Sequence, residues 1–262
     1  MRKYITVVAI LAIMSIALYI FFGQNDQFVS IQKNNDNVKT EVSKLGIKIS
    51  VDILKLRKKN TRALAESMVT LNPTVSLDDA LEMLEWQYDR GYPRLDVNGK
   101  PINSDYDLFD LDQLKSLADN GDIYATHLLG QKLFKRGNFN EAEEYFWTAS
   151  VNGLTYSLME LANIYVVNSR NEAENSSKKD HLIKAYSLLD VALNRGDLMA
   201  KFSMKVYGFK PDEEERKKIH IMSREYYSKL VSERRTLSLN EFDNTTPIAI
   251  NYILKNNLNI EN

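Results

Sequence analysis

The sequence lacks cysteine and contains little glycine or proline. With no Cys among 262 residues, the chain has no disulfide, no cysteine-ligated zinc or iron–sulfur cluster and no thiol nucleophile. Glycine occurs 10 times and proline 5 times, about half of their usual combined share of roughly 12%. A sandwich or barrel needs a turn about every 8–12 residues. The scarcity of turn residues therefore predicts an all-α protein.

The sequence also has no excess of either positive or negative charge. The 34 Lys and Arg residues nearly balance the 35 Asp and Glu residues, for a net charge of −1. A protein that binds nucleic acid through the phosphate backbone usually carries a basic excess. We therefore expect no nucleic-acid partner.

A long apolar run stands at the N-terminus. Ile5–Phe22 is 18 residues long and carries no charge. As a helix it would measure about 27 Å, close to the ~30 Å hydrocarbon core of a bilayer. Arg2 and Lys3 precede it, and the positive-inside rule keeps such a flank in the cytoplasm. We expect a single-pass anchor over residues 1–23 in a bacterial inner membrane, with the remaining chain in the periplasm.

A cleaved signal peptide is the alternative for this segment. Its apolar core should span only about 7–15 residues and end in small residues before the cleavage site. Gly23 suits the last position before a cut, but Phe21 does not suit the position two residues earlier. These features favour the uncleaved anchor.

A polar linker and a juxtamembrane helix follow. Residues 24–37 are rich in Gln, Asn, Asp and Ser, as is typical of a linker. From Val38 to Leu71 the apolar residues recur at helical steps, and Pro73 ends the pattern. We predict a helix within residues 38–75 that packs on the next domain. A short coiled-coil seam is the alternative.

The chain then repeats a helical pattern aligned on glycine. Eleven residues before Gly91, Gly153 and Gly196 stand the alanines 80, 142 and 185, and seven residues before them stand Leu84, Phe146 and Leu189. Small residues allow a neighbouring helix to approach, and glycine allows the chain to leave the helix in a left-handed conformation. The pattern predicts a series of second helices that end at these glycines.

A different helix type lies between these second helices. Tyr124 and Leu129 recur after 32 residues as Tyr156 and Leu161, and a further shift of 43 residues reaches Met199. A repeat of this length is typical of helix pairs that stack to share a core. We predict an α-solenoid of antiparallel helix pairs over residues 76–208.

These residues resemble two helical-repeat families. Leu129-Gly130, Ala142, Phe146 and Ala149 match the spacing of the tetratricopeptide repeat, whereas the glycines at 153 and 196 are more similar to Sel1-like repeats. The choice between the two families stays open. The resemblance implies that the first helices line a concave face that holds peptides or partner proteins.

Two insertions and a C-terminal extension complete the soluble part. Asn98-Gly99 suits a two-residue hairpin turn. Asn168–Asp180 is polar and predicts a lengthened inter-helix loop. Pro211 opens a helix that runs to about Arg235, and Pro247 opens a last one. We predict that residues 209–262 form helices that cap the solenoid.

Signatures of catalysis or metal binding are missing from the sequence. The three histidines, His127, His181 and His220, have no partner at a metal-binding spacing. The acidic run from Asp105 to Asp112 does not fit a calcium loop, and Asp105 to Asp110 are interpreted as the start and cap of the helix that follows. We expect no catalytic residue, no metal and no cofactor.

The remaining candidate site is a stripe on the first helices. Steps of three and four residues place one set of side chains between the core positions, and aromatic and Met residues suit adaptable recognition. The alternative is that this stripe belongs to the core. The predicted partner-binding residues are Tyr124, His127, Gln131, Tyr156, Met159 and Asn163.

These observations predict a membrane-tethered scaffold or adaptor that binds a protein through a helical-repeat groove. The sequence does not identify the partner. One alternative is a structural subunit of a cell-envelope or secretion complex. Another is an enzyme or ligand-binding protein acting on cell-wall material.

Overall fold

The computed structural model describes residues 61–70, 75–93, 106 and 109–247. These residues form helices and no strand, which confirms the all-α prediction for this part of the chain. The anchor at 1–23, the linker at 24–37, the hairpin at Asn98-Gly99 and the helix after Pro247 lie outside the described residues. None of the described helices is long and apolar enough to span a membrane.

The described residues divide into two compact units between Glu85 and Trp86. In the first unit, residues 61–70 are helical, and they are the described part of the helix predicted within 38–75. Ala65, Val75 and Ala80 are its buried core residues. Ser76 Oγ accepts a hydrogen bond from the Asp79 backbone N–H at 3.0 Å. Ser76 thereby caps the next helix, α1 (Leu77–Asp89).

The second unit begins with the last turn of α1 and continues with seven helices. In chain order they are α2 (Leu111–Asp119), α3 (Ile123–Lys135), α4 (Phe139–Val151), α5 (Thr155–Asn171), α6 (Asn175–Asn194), α7 (Met199–Tyr207) and α8 (Glu213–Thr236). From α2 to α7 each helix packs on the next, and α3, α5 and α7 also contact one another in succession. The long α8 packs on α4 and α6.

Local sequence explains where these helices begin and end. Asp110 and Asp212 form capping boxes at the starts of α2 and α8. The sequence predicts the cap at the end of the acidic run, whereas it places Asp212 inside the first turn of its helix, one step later than the structure does. At the predicted helix ends, Gly91, Gly153 and Gly196 have φ of +86°, +123° and +76°. Residues with a side chain rarely adopt such φ values, so these turns require glycine.

The repeat positions form the core of the second unit. Ala142, Phe146, Ala185 and Leu189 are fully buried. A Cβ atom on Gly130 would lie 2.9 Å from the Phe146 ring. Gly130 therefore lets α3 and α4 approach closely enough for the aromatic ring to fill the space between them.

The predicted loop at Asn168–Asp180 is wrong. Helix α5 continues to Asn171 and α6 begins at Asn175, so only residues 172–174 connect them. The extra residues add turns to both helices. The polar composition reflects exposure of these added turns, where Arg170 and Lys179 face solvent.

After α8 the chain crosses back over the helix ends as an irregular segment, residues 237–247, here called the strap. The Thr245 carbonyl accepts hydrogen bonds from Trp86 Nε1 at 2.8 Å and from Arg90 Nη2 at 2.9 Å. Thr246 Oγ1 donates to the Gly196 carbonyl at 2.5 Å. The strap thereby links the C-terminal end of α1 to the α6–α7 turn.

Candidate functional site

The six predicted partner-binding residues separate into two sets by depth. Tyr124, Gln131 and Asn163 are half-buried, whereas His127, Tyr156 and Met159 are buried. All six lie on α3 or α5. The first set can meet a partner at the surface of the α3/α5/α7 face, and the second set forms the layer beneath it.

His127 joins α3 to α5. Its Nδ1 atom shares a hydrogen bond with Ser157 Oγ at 2.8 Å, and its ring centroid lies 5.5 Å from those of both Phe146 and Tyr156. Burial lowers the pKa of His127 to about 3, because an imidazolium would lose its hydration there. At neutral pH this residue is an uncharged packing histidine.

Tyr156 and Met159 connect α5 to its neighbours. The Tyr156 ring lies 4.7 Å from the Tyr92 ring. Met159 Sδ lies 3.8 Å from the Tyr92 hydroxyl and 3.9 Å from Ser203 Oγ on α7. Both side chains pack as core residues in this structure.

Tyr124 lies at the α1 end of the face. Its hydroxyl donates a hydrogen bond to the Tyr88 carbonyl at 2.9 Å, and the two rings are 4.7 Å apart. The phenol is therefore held in place, and the Tyr124 residue as a whole is half-buried. An oriented aromatic side chain of this kind loses little entropy when it binds a partner.

Glu160 is the functional candidate that sequence reasoning missed. Gln131 Nε2 donates a hydrogen bond to its Oε1 atom at 3.1 Å, and the side chains of Tyr156 and Asn163 also hydrogen-bond its carboxylate. Glu160 is only 8% exposed. We call these four residues the Glu160 cluster. Three of the predicted stripe residues thus converge on one carboxylate.

Burial is the main influence on the Glu160 carboxylate. It raises the pKa of Glu160, while the hydrogen bonds from Gln131, Tyr156 and Asn163 and the charge of Lys135 act in the opposite direction. Lys135 itself is exposed. None of the ion pairs in the described ranges includes Glu160. Among the described residues, the groups that contact the Glu160 carboxylate directly are therefore uncharged hydrogen-bond donors.

The charge of Glu160 also affects a residue on α7, the third helix of the face. On α7, burial raises the pKa of the Tyr207 phenol, and the negative charge of Glu160 adds to the effect. Glu160 therefore lies where α5 is flanked by Gln131 of α3 and by Tyr207 of α7. The helix spacing contains the missed signal, because Glu160 stands four residues after Tyr156 and three before Asn163, on the same side of α5.

A second buried carboxylate, Asp197, has a structural environment. It accepts hydrogen bonds from the Tyr92 hydroxyl at 2.7 Å, Thr155 Oγ1 at 2.6 Å and the Met199 backbone N–H at 3.2 Å. Burial raises the pKa of Asp197, and the positive charge of Arg90 opposes this shift. Asp197 thus ties the α6–α7 turn to the start of α5.

Within the ranges that the structure describes, no group of three or more His, Asp or Glu side chains is arranged to hold a metal ion. The Glu160 cluster instead combines one carboxylate, two amides and a phenol. Such a set can bind a polar or positively charged group through hydrogen bonds and charge.

Comparison with known proteins gives no relative: the chain matches no protein-family model, no curated protein and no solved structure.

Proposed function

We propose that this protein is a membrane-tethered scaffold that binds a segment of a partner protein along the α3/α5/α7 face. The supporting observation is that Tyr124, Gln131 and Asn163 stand half-buried at this face, above the packed layer of His127, Tyr156 and Met159. Partly exposed side chains on a rigid base are suited to recognition, because little order has to be imposed on binding.

The proposal includes a solenoid of Sel1-like or tetratricopeptide-like pairs. Its support is the pairwise succession of α2 to α7, together with the contacts of α3 with α5 and of α5 with α7. In such an arrangement the first helices of successive pairs form one continuous face. The segment over residues 5–22 is proposed to anchor the chain in the inner membrane, with the face in the periplasm.

Position 206 offers a direct test of the proposed face. Val206 on α7 aligns with Gln131 and Asn163 in the repeat, and it is 41% exposed. A photo-crosslinking amino acid placed there in the native cell should capture a protein partner. The same amino acid at Ile221 on α8, which is 52% exposed, serves as the control and should not capture that protein.

Capture from position 206 should also depend on the neighbouring stripe residues. The double substitution Gln131→Ala with Asn163→Ala should strongly reduce the crosslink while the helicity stays close to that of the parent. The melting temperature should fall somewhat, because the buried Glu160 carboxylate loses two donors. Capture that survives this double substitution, or that occurs only from position 221, would place the interface outside the α3/α5/α7 face.

The anchor has its own test. The membrane-bound protein should begin at Met1 or Arg2 when its intact mass is measured. A protein released from the membrane that begins near residue 24 would support the cleaved signal peptide instead.

A further inference from the structure

We propose that the Glu160 carboxylate binds the cationic side chain of a lysine or arginine in the partner segment. This inference rests on the proposed function, because it assigns the chemistry that the α3/α5/α7 face recognises. The sequence motifs did not point to it. It follows from the depth of Glu160 and from the kind of groups that surround it.

The side chains that contact Glu160 donate hydrogen bonds to its carboxylate but carry no opposite charge to pair with it. Gln131, Tyr156 and Asn163 all hydrogen-bond the carboxylate, and donors of this kind favour the ionised form. Burying an ionised carboxylate still costs several kcal/mol unless an opposite charge pairs with it. Since no Lys or Arg among the described residues forms an ion pair with Glu160, a bound cation would offset this cost.

The position of Glu160 also suits a cation that arrives from outside. The flanking Gln131 and Asn163 side chains are half-buried, and the residue Glu160 is 8% exposed, so it lies just beneath the face. A lysine or arginine side chain can lay its apolar stem on surface groups and extend its charged end inward. Val206 on α7, which is 41% exposed, provides apolar surface on the same face.

The competing explanation is that Glu160 is a neutral acid with only a packing role. Its raised pKa is compatible with that explanation. The two explanations differ in one measurable respect. A carboxylate receptor discriminates between a charged and an uncharged side chain of the same shape, whereas a neutral packing residue does not.

The probes are three pentapeptides that carry an acetylated N-terminus, an amidated C-terminus and a central lysine, norleucine or glutamate among alanines. Norleucine preserves the apolar stem of lysine without the ammonium group. The full chain in detergent micelles is titrated, and the side-chain amide signal of Gln131 is followed by ¹H–¹⁵N NMR. The lysine peptide should shift this signal, and the norleucine and glutamate peptides should leave it in place.

Two isosteric variants complete the test. Glu160→Gln keeps the size of the side chain and removes its charge, so the lysine peptide should bind about tenfold more weakly or not at all, as expected for loss of a charged hydrogen bond. Glu143→Gln is the matched control, because Glu143 on α4 is a half-buried carboxylate that accepts from the Tyr165 hydroxyl at 2.5 Å. The control variant should bind like the parent.

Three results would overturn the inference. They are equal shifts with lysine and norleucine, unchanged binding by the Glu160→Gln variant, and no shift with the lysine peptide up to its solubility limit. If Glu160→Gln does not fold, the comparison of the lysine and norleucine peptides on the parent protein still shows whether the binding requires a positive charge. If crosslinking from position 206 succeeds while the lysine probe fails, the proposed function stands and this inference does not. If the crosslinking fails, the proposed function fails instead.

Discussion

The guanidinium carbon of Arg195 lies 3.6 Å from the centroid of the Phe242 ring. The guanidinium of Arg234 lies 4.5 Å from the same ring, so the strap places one phenyl group between two cations. Arg195 also donates hydrogen bonds to the carbonyls of Ser150 and Gly153 at the end of α4. A cation at a helix C-terminus complements the helix dipole, so this contact couples the strap to the stability of α4.

Removal of the Phe242 ring should release the strap. Phe242→Ala eliminates both cation–π contacts, each of which is worth about 0.5–2 kcal/mol. We expect a loss of about 1–3 kcal/mol in the free energy of unfolding, measured by urea denaturation. Leu239→Ala in the same strap is the control, because Leu239 is exposed, and it should change stability little. Equal effects of the two substitutions would show that the ring is not what holds the strap.

Phe146 tests the repeat alignment. The side chain is fully buried between α3 and α4, and Phe146→Ala should cost about 3–5 kcal/mol. Phe139→Ala, at the half-buried start of α4, should cost clearly less. Thermal unfolding of the two variants provides the comparison, and an unchanged melting temperature for Phe146→Ala would refute the alignment.

Gly130 should tolerate no side chain while Phe146 is present. In Gly130→Ala the added methyl group would lie 2.9 Å from the aromatic ring, and overpacking of this kind costs about 1–3 kcal/mol. Because the clash is with Phe146, the double variant Gly130→Ala with Phe146→Leu should lose less stability than the sum of the two single variants. A double-mutant cycle with strictly additive losses would exclude the close contact.

His127 should make the free energy of unfolding depend on pH in the acidic range. Its pKa is about 3 in the folded protein and about 6.5 when unfolded, so between these values the unfolded chain binds a proton that the folded chain does not. The free energy of unfolding should then fall as the pH is lowered through this window, by up to about 1.4 kcal/mol per pH unit.

The variant His127→Gln isolates this contribution. Glu160 and Asp197 have raised pKa values, so they act with the opposite sign and must be present in both proteins. Stability measured between pH 7 and pH 4 should decline more steeply in the parent than in His127→Gln. Parallel pH profiles would show that His127 carries its proton in the folded state.

The sequence alone specified the features that depend on neighbours along the chain. Asp110 caps a helix because its carboxylate reaches the free N–H groups of the first turn. Glycine ends the repeat helices because only it adopts positive φ without strain. The alanine and phenylalanine positions were recognisable as core because they recur at a helical period.

Only the tertiary structure decided how deep each side of a helix lies and which distant residues meet. Periodicity grouped His127 and Tyr156 with Gln131 and Asn163, but burial depends on how closely the neighbouring helices approach. The convergence of Gln131 on Glu160 joins residues 29 apart in sequence. The contact of Arg90 with the strap spans 155 residues. Such pairings arise from packing in space, and no local pattern in the sequence encodes them.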